Sequence, residues 1–313
     1  MKRFLPTLIL VVVCIGGFWY ASSQSFFKDK SKDEVKQLMT VSSANVESIS
    51  VKTTVATTAL VRKGEGWEMA KPSILPVAGA TVEQWLGSFS KLTYNSKVNE
   101  NPQALDLAGF GLAEPQQEFK VTMKDGSSQT LWIGMPLAIA GNVYAKLANS
   151  PVVYEISDQA VQSLAKQPLD FIDKRAVQIK YDAVKKLQVE WKTEKWQLDK
   201  AQADKTVFES TWKLGDKELK PNEGTAILDK VVALATKEMV KPAAEVKLDQ
   251  PDLKLLITEV EADKETIQTY LGKIEKEMVW IVKQGGAWAY SIPLTQVQEL
   301  IDTPKNVPAP AAN

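Results

Sequence analysis

The chain of 313 residues contains no histidine, one cysteine (Cys14) and three arginines (Arg3, Arg62 and Arg175). Without histidine, no Ser-His-Asp triad can form, nor any zinc, iron or copper site that relies on imidazole. The lone Cys14 lies in an apolar run near the N-terminus, so the rest of the chain has no disulfide to draw on. Three arginines are too few for bidentate phosphate or carboxylate clamps. Charge is balanced, with 38 Lys+Arg against 38 Asp+Glu, and so provides no field to recruit nucleic acid. Hydrophobic residues make up 44% and charged residues 24%, a composition that excludes a wholly disordered, collagenous or polytopic membrane chain. At this length two modest domains are expected.

What is present begins with an apolar segment. Met1-Lys2-Arg3 precedes Phe4 to Ala21, 18 residues without a charge. A helix rising about 1.5 Å per residue would just cross a ~30 Å hydrocarbon core over that length. Trp19 and Tyr20 fall at an interfacial belt, and the positive charges precede the span. Residues 1–21 are therefore expected to be an uncleaved anchor in the cytoplasmic (inner) membrane, single-pass, N-terminus inside, with the bulk of the chain extracytoplasmic or periplasmic. Cleavage near Ala21-Ser22-Ser23 is the alternative. A lipoprotein signal is disfavoured, because Val11-Val12-Val13 rather than small residues precede Cys14. Residues 22–43 are polar and read as a stalk, with a short helix near Val35–Met39. Residues 303–313 are Pro/Ala-rich and read as a disordered tail.

Between them one order of features occurs twice. Leu112-x-x-Pro115 recurs as Leu248-x-x-Pro251, and 41 residues separate Pro115 from Ile156 and Pro251 from Ile292. The offset of 136 also matches Tyr154 with Tyr290 and Leu164 with Leu300. Upstream, a strand (Val46–Val51; Val184–Val189) leads to a Trp strand (Gly66–Met69; Thr211–Leu214) and then to a helix. Those helices, Thr81–Leu92 and Glu223–Leu234, carry Trp85, Leu86, Phe89, Leu92 and Ile227, Leu228, Val231, Leu234 at the same spacing. Downstream, Phe119, Val121 and Met123 alternate with polar residues before Asp125-Gly126, a hairpin signal. The expected class is α+β: two tandem, repeat-related modules of antiparallel sheet plus short helices, at 44–175 and 176–302.

This succession resembles the bacterial domain of unknown function DUF4340. The carriers are the N-terminal span, Val46-Glu47-Ser48-Ile49-Ser50-Val51, Gly64–Met69, Phe110-Gly111-Leu112-x-x-Pro115, Leu131-Trp132-Ile133-Gly134, Val153-Tyr154-Glu155-Ile156 and Leu169–Arg175. Copy two departs from the pattern, with Asp249-Gln250 for Ala113-Glu114 and no Phe-Gly before its Leu. The resemblance implies an anchored or exported protein of no assigned activity, often accompanying ABC-type export components. It carries over no catalytic residues.

A direct search for chemistry finds little. Ser-x-x-Lys occurs at Ser25–Lys28, Ser88–Lys91 and Ser163–Lys166, close to what chance placement of 19 Ser and 35 Lys gives. Asp170 with Asp173, and Glu259 with Glu261 and Asp263, are the nearest carboxylate groupings, and they read as solvated charge at a joint and around a hairpin turn. The acidic triplet lacks the spacing of a calcium loop, and no phosphate-binding glycine loop occurs. Trp191 and Trp196, set in a Lys/Glu-rich stretch, are the candidate exposed anchors for a partner.

The expectation is a non-catalytic, membrane-tethered module without cofactor or metal, binding an envelope protein partner and no nucleic acid. By family resemblance that partner is a component of an ABC-type exporter. The alternatives are a periplasmic ligand-binding module with a groove between the copies, and a histidine-independent envelope hydrolase.

Overall fold

The computed structural model describes residues 36–138 and 141–306. The span expected at residues 4–21 lies outside them. Among the described residues no helix is long and apolar enough to cross a membrane.

The first half forms nine strands: β1 Val46–Lys52, β2 Thr57–Lys63, β3 Gly66–Lys71, β4 Leu75–Pro76, β5 Ser96–Asn99, β6 Gln117–Met123, β7 Ser128–Pro136, β8 Asn142–Leu147 and β9 Val153–Ser157. Its helices are α1 Gly79–Ser90, α2 Ala104–Gly109, α3 Asp158–Leu164 and α4 Pro168–Phe171. The second half forms β10 Val184–Trp191, β11 Glu194–Lys200, β12 Trp212–Leu214, β13 Lys217–Leu219, β14 Lys241–Pro242, β15 Leu253–Glu261, β16 Lys264–Glu275, β17 Met278–Lys283 and β18 Trp288–Pro293. With them come α5 Pro221–Val232, α6 Leu294–Ile301 and α7 Thr303–Asn306. The class is α+β, as expected.

The strands make two antiparallel sheets. Their orders are β4-β3-β2-β1-β6-β7-β8-β9-β5 and β13-β12-β11-β10-β15-β16-β17-β18-β14. Position for position the two orders are the same. Both central strands also carry the same irregularity. β1 slips register against β6 between Val46 and Ser48, and β10 slips against β15 between Val184 and Lys186. A bulge adds one residue and restores the inward face, so Val46 and Ile49 are both buried at a spacing that plain alternation forbids. Val184 and Leu187 repeat it.

The hairpins behave less simply. Phe119 pairs with Leu131 in the first sheet, whereas Leu255 pairs with Tyr270 in the second. The corresponding residues are therefore 136 apart on β6/β15 and 139 apart on β7/β16. One hairpin later, Ile133 pairs with Ala145 and Gly272 with Ile281, returning the offset to 136. The constant spacing in the sequence thus conceals a three-residue lengthening of one turn region and an equal shortening of the next. From β8 and β17 onward the correspondence is direct: Tyr154 pairs with Ala145, and Tyr290 with Ile281.

α1 lays Val82, Trp85, Leu86 and Phe89 against the first sheet, with Trp85 stacked on Phe89 at 5.1 Å and edge-on to Phe119 at 6.5 Å. The Trp85 indole N–H donates to the Leu164 carbonyl at 2.8 Å, tying α1 to the end of α3. α5 presents Gly224, Ile227, Leu228 and Val231 at the same spacing. One contiguous apolar core includes residues from both sheets.

Two segments differ from expectation. Residues 36–42 form no helix, where one was expected near Val35–Met39. Gln37 makes an isolated antiparallel bridge to Thr93, the Leu38 N–H donates to the Leu92 carbonyl, and Leu38, Met39 and Val41 are buried. Three apolar residues in an otherwise polar run are enough to seat this segment on the core. Arg175 makes the matching bridge to Ala235, with the Ala176 N–H donating to the Leu234 carbonyl. The lead-in to each sheet therefore begins near Lys36 and Lys174. At the other end, Thr303–Asn306 is a helical turn with Thr303 buried, where a disordered tail was expected.

Candidate functional site

Trp191 is not an exposed anchor. It ends the inward series Leu187, Val189, Trp191 on β10 and is 7% exposed, with the Lys192 ammonium 5.6 Å from its ring centre. Trp196 on β11 pairs with Val189 and packs half-buried against the core, its indole nitrogen buried without a hydrogen-bond partner among the described residues. The surrounding charges belong to the outward positions of the same strands, which is why the sequence context suggested a surface.

The Ser/Lys and carboxylate candidates are occupied locally. The Ser88 hydroxyl donates to the Gln84 carbonyl at 3.1 Å, and the Ser163 hydroxyl donates to that of Ala160 at 2.6 Å. Asp170 caps α4 by accepting the Gln167 N–H at 2.8 Å. Asp173 takes a two-pronged ion pair from Arg175, at 3.0 and 2.7 Å. Burial works to raise the Asp173 carboxyl, but the hydrogen bonds and charge of Arg175 outweigh it and hold it below the usual range. Glu261 is on the surface, paired with Lys180.

Glu259 corrects the sequence expectation of solvated turn charge. It lies on β15 opposite Val184, is 3% exposed, and occupies the place that Met123 holds in the first sheet. Its oxygens accept the Lys180 N–H and the Gln268 side-chain amide, each at 2.7 Å. The Gln268 carbonyl in turn accepts the Tyr270 hydroxyl at 3.0 Å, and that hydroxyl lies 2.7 Å from the Gln178 carbonyl and 3.1 Å from the Gln178 N–H. This chain clamps the lead-in strand of the second sheet to β15 and β16. A buried carboxylate persists only when its lone pairs are satisfied in this way. The signal was available: Glu259 falls in step with the apolar series Leu253, Leu255, Ile257.

Beside this network lies a cavity of about 140 Å³, lined by Arg175, Ala176, Gln178, Tyr270, Lys283, Gly286, Ala287, Trp288 and Tyr290. It sits within the second sheet and its own lead-in rather than between the sheets. Tyr290 is 8% exposed, and burial, with a further push from the Asp173 charge, drives its hydroxyl up to about 12.

The first sheet has a different polar row. Glu118, Trp132 and Lys146 are direct cross-strand neighbours on β6, β7 and β8. The Trp132 indole donates to Glu118 at 3.0 Å, and the buried Lys146 ammonium lies 5.0 Å from the Trp132 ring centre, donating to the Leu147 carbonyl at 3.1 Å. Burial lowers the Lys146 pKa. Val282 holds the matching place in the second sheet.

Two antiparallel sheets of one strand order, with short helices, define an α+β protein. The family model described as "Domain of unknown function (DUF4340)" matches residues 67–252, more than half of the chain. The chain belongs to this family. That match runs from β3 to the residue before β15, crossing from one sheet into the other. No curated protein and no solved structure matches the chain.

Proposed function

We propose that the chain is a non-catalytic binding or scaffold module of the cell envelope, tethered through residues 4–21. In this reading the two sheets are tandem copies of one module, held on the extracytoplasmic side to bind a protein partner, a component of an ABC-type export system. The local engagement of the candidate catalytic groups carries it. Ser88 and Ser163 hydroxyls are turned onto their own helices, Asp170 serves as a cap and Asp173 as an ion-pair partner. A nucleophile needs a base within reach, and a working acid–base pair needs free lone pairs. Exposed apolar side chains such as Val55, Ile74 and Leu105 leave surface for a partner. The tether is tested by washing membranes with high salt and carbonate, then adding protease to spheroplasts. Retention through the washes with external clipping is expected. Release of a soluble form with a new N-terminus near Gln24 would overturn it.

A second reading, a periplasmic ligand-binding module, draws on the second-sheet cavity, where the buried Tyr270 and Tyr290 meet the exposed Arg175 and Lys283.

A further inference from the structure

The two sheets provide an internal comparison for the cavity beside β16, β17 and β18. Leu131 of the first sheet pairs with Phe119 and Leu147, and both leucines are buried. At the corresponding places the second sheet has Tyr270, which pairs with Leu255 and Lys283. The lead-in bridge is made by Gln37 in the first half and by Arg175 in the second. Counting back one and two residues along β18 and β9 from the matched Tyr290 and Tyr154, Ala289 answers to Val153 and Trp288 to Val152. At these matched places the first sheet carries Leu131, Leu147, Val152, Val153 and Gln37, where the second carries Tyr270, Lys283, Trp288, Ala289 and Arg175.

The charges around the opening do not cancel. Arg175 is balanced by Asp173, but Lys283 has no ion pair among the described residues. The Tyr290 hydroxyl, on a side chain more than nine-tenths buried, borders the cavity and has no hydrogen-bond partner among the described residues. At neutral pH it is protonated and therefore a donor. A hydroxyl with no protein partner beside a cavity is free to donate to whatever enters it. A volume near 140 Å³ is about what a cavity needs to hold a six-membered ring.

We propose that this cavity is a binding site for a small aromatic carboxylate, its ring against Tyr270, Trp288 and Tyr290 and its carboxylate toward Lys283 and Arg175. This rests on the ligand-binding reading above. A carboxylate can pair with Lys283, an exposed cation beside the cavity, and its second oxygen can accept from a hydroxyl. A phosphate would match the cations but leave the aromatic wall unfilled.

The test uses the full chain in detergent, with benzoate as probe and benzamide as the neutral analogue of the same shape. Binding is read by calorimetry and by tryptophan fluorescence, since Trp288 lines the cavity. Lys283→Leu and Arg175→Gln place in the second sheet the residues that the first already carries at those positions, so either variant can report if the other fails to fold. Saturable one-to-one binding of benzoate is expected, weakened about tenfold or more in Lys283→Leu and in the change to benzamide, the usual size of a lost charge-assisted contact. Tyr290→Phe should weaken it by a smaller factor. If benzamide binds as tightly as benzoate, or both cation variants bind like the wild type, the carboxylate assignment falls while the ligand-binding reading stands. If neither probe binds, both fall.

Discussion

Two glycines on matching helices should respond in opposite directions to the same substitution. Gly87 sits in α1 with nothing among the described residues within 4 Å of where a Cβ would stand. Alanine there gains helix propensity and should stabilise by about 0.5–1 kcal/mol. Gly224 occupies α5 at the place matching Val82, but its added Cβ would fall 2.1 Å from Trp212 Cδ1 and 2.2 Å from Cγ. Trp212 is fully buried and cannot swing away without breaking the bond from its indole N–H to the Val207 carbonyl at 3.2 Å. Overpacking costs about 1–3 kcal/mol and a lost buried hydrogen bond about 1–3, against the same propensity gain. Gly224→Ala should therefore destabilise by about 2–4 kcal/mol. In the first sheet the corresponding ring, Trp67, is drawn toward Arg62 at 4.5 Å and Glu83 at 3.3 Å, which leaves room for Val82. Thermal unfolding followed by tryptophan fluorescence reads both variants; at about 2–4 °C per kcal/mol the second should melt about 5–15 °C lower. A Gly224→Ala protein that melts at or above the wild-type temperature would refute the close-packing argument.

Three further outcomes are expected. A soluble form starting at residue 36 should be more stable than one starting at 44 by up to about 4.5–9 kcal/mol, because Leu38, Met39 and Val41 are each buried and worth about 1.5–3; equal denaturant midpoints would show that the lead-in is dispensable. Asp173→Asn should destabilise at neutral pH but not in acid. The native carboxyl is held below its ordinary 3.8, so its contribution is present above that value and is lost as pH falls through the native pKa; a wild-type advantage that persists in strong acid would contradict this. Above pH 10 stability should fall, because the Tyr290 pKa is raised from 10.0 to about 12, and its contribution is complete below 10.0 and lost as pH rises toward 12. Tyr290→Phe should flatten that decline, and an unchanged alkaline profile would count against it.

How much of this was legible in the sequence varies with the physics of each element. α1 and α5 appear within two residues of the expected Thr81–Leu92 and Glu223–Leu234, because amphipathic spacing and buried faces are local signals. The Asp125-Gly126 turn was legible for the same reason, with Gly126 at φ +83°. The compensating turn lengths were hidden, since only their sum shows in residue spacing. β5 and β14 went unread: at four and two residues they have no periodicity of their own and exist by pairing with the outer edges of β9 and β18. Trp191 and Glu259 were misread because neighbouring charges suggested solvent, while strand alternation put both inside. The cavity depends on residues up to 115 positions apart, Arg175 and Tyr290, brought together only by a bridge and a sheet edge.

The most direct measurement is capture of the full chain from crosslinked, detergent-solubilised membranes, run in parallel for the wild type, Ser88→Ala and Asp170→Asn. Each variant is checked by thermal melt. For a scaffold whose Ser and Asp side chains serve only as caps and local donors, a membrane or ATP-binding subunit of an export system should co-purify in fixed proportion with all three. A chain recovered alone, or a folded Ser88→Ala or Asp170→Asn protein that has lost all function in the cell, would contradict the non-catalytic binding role.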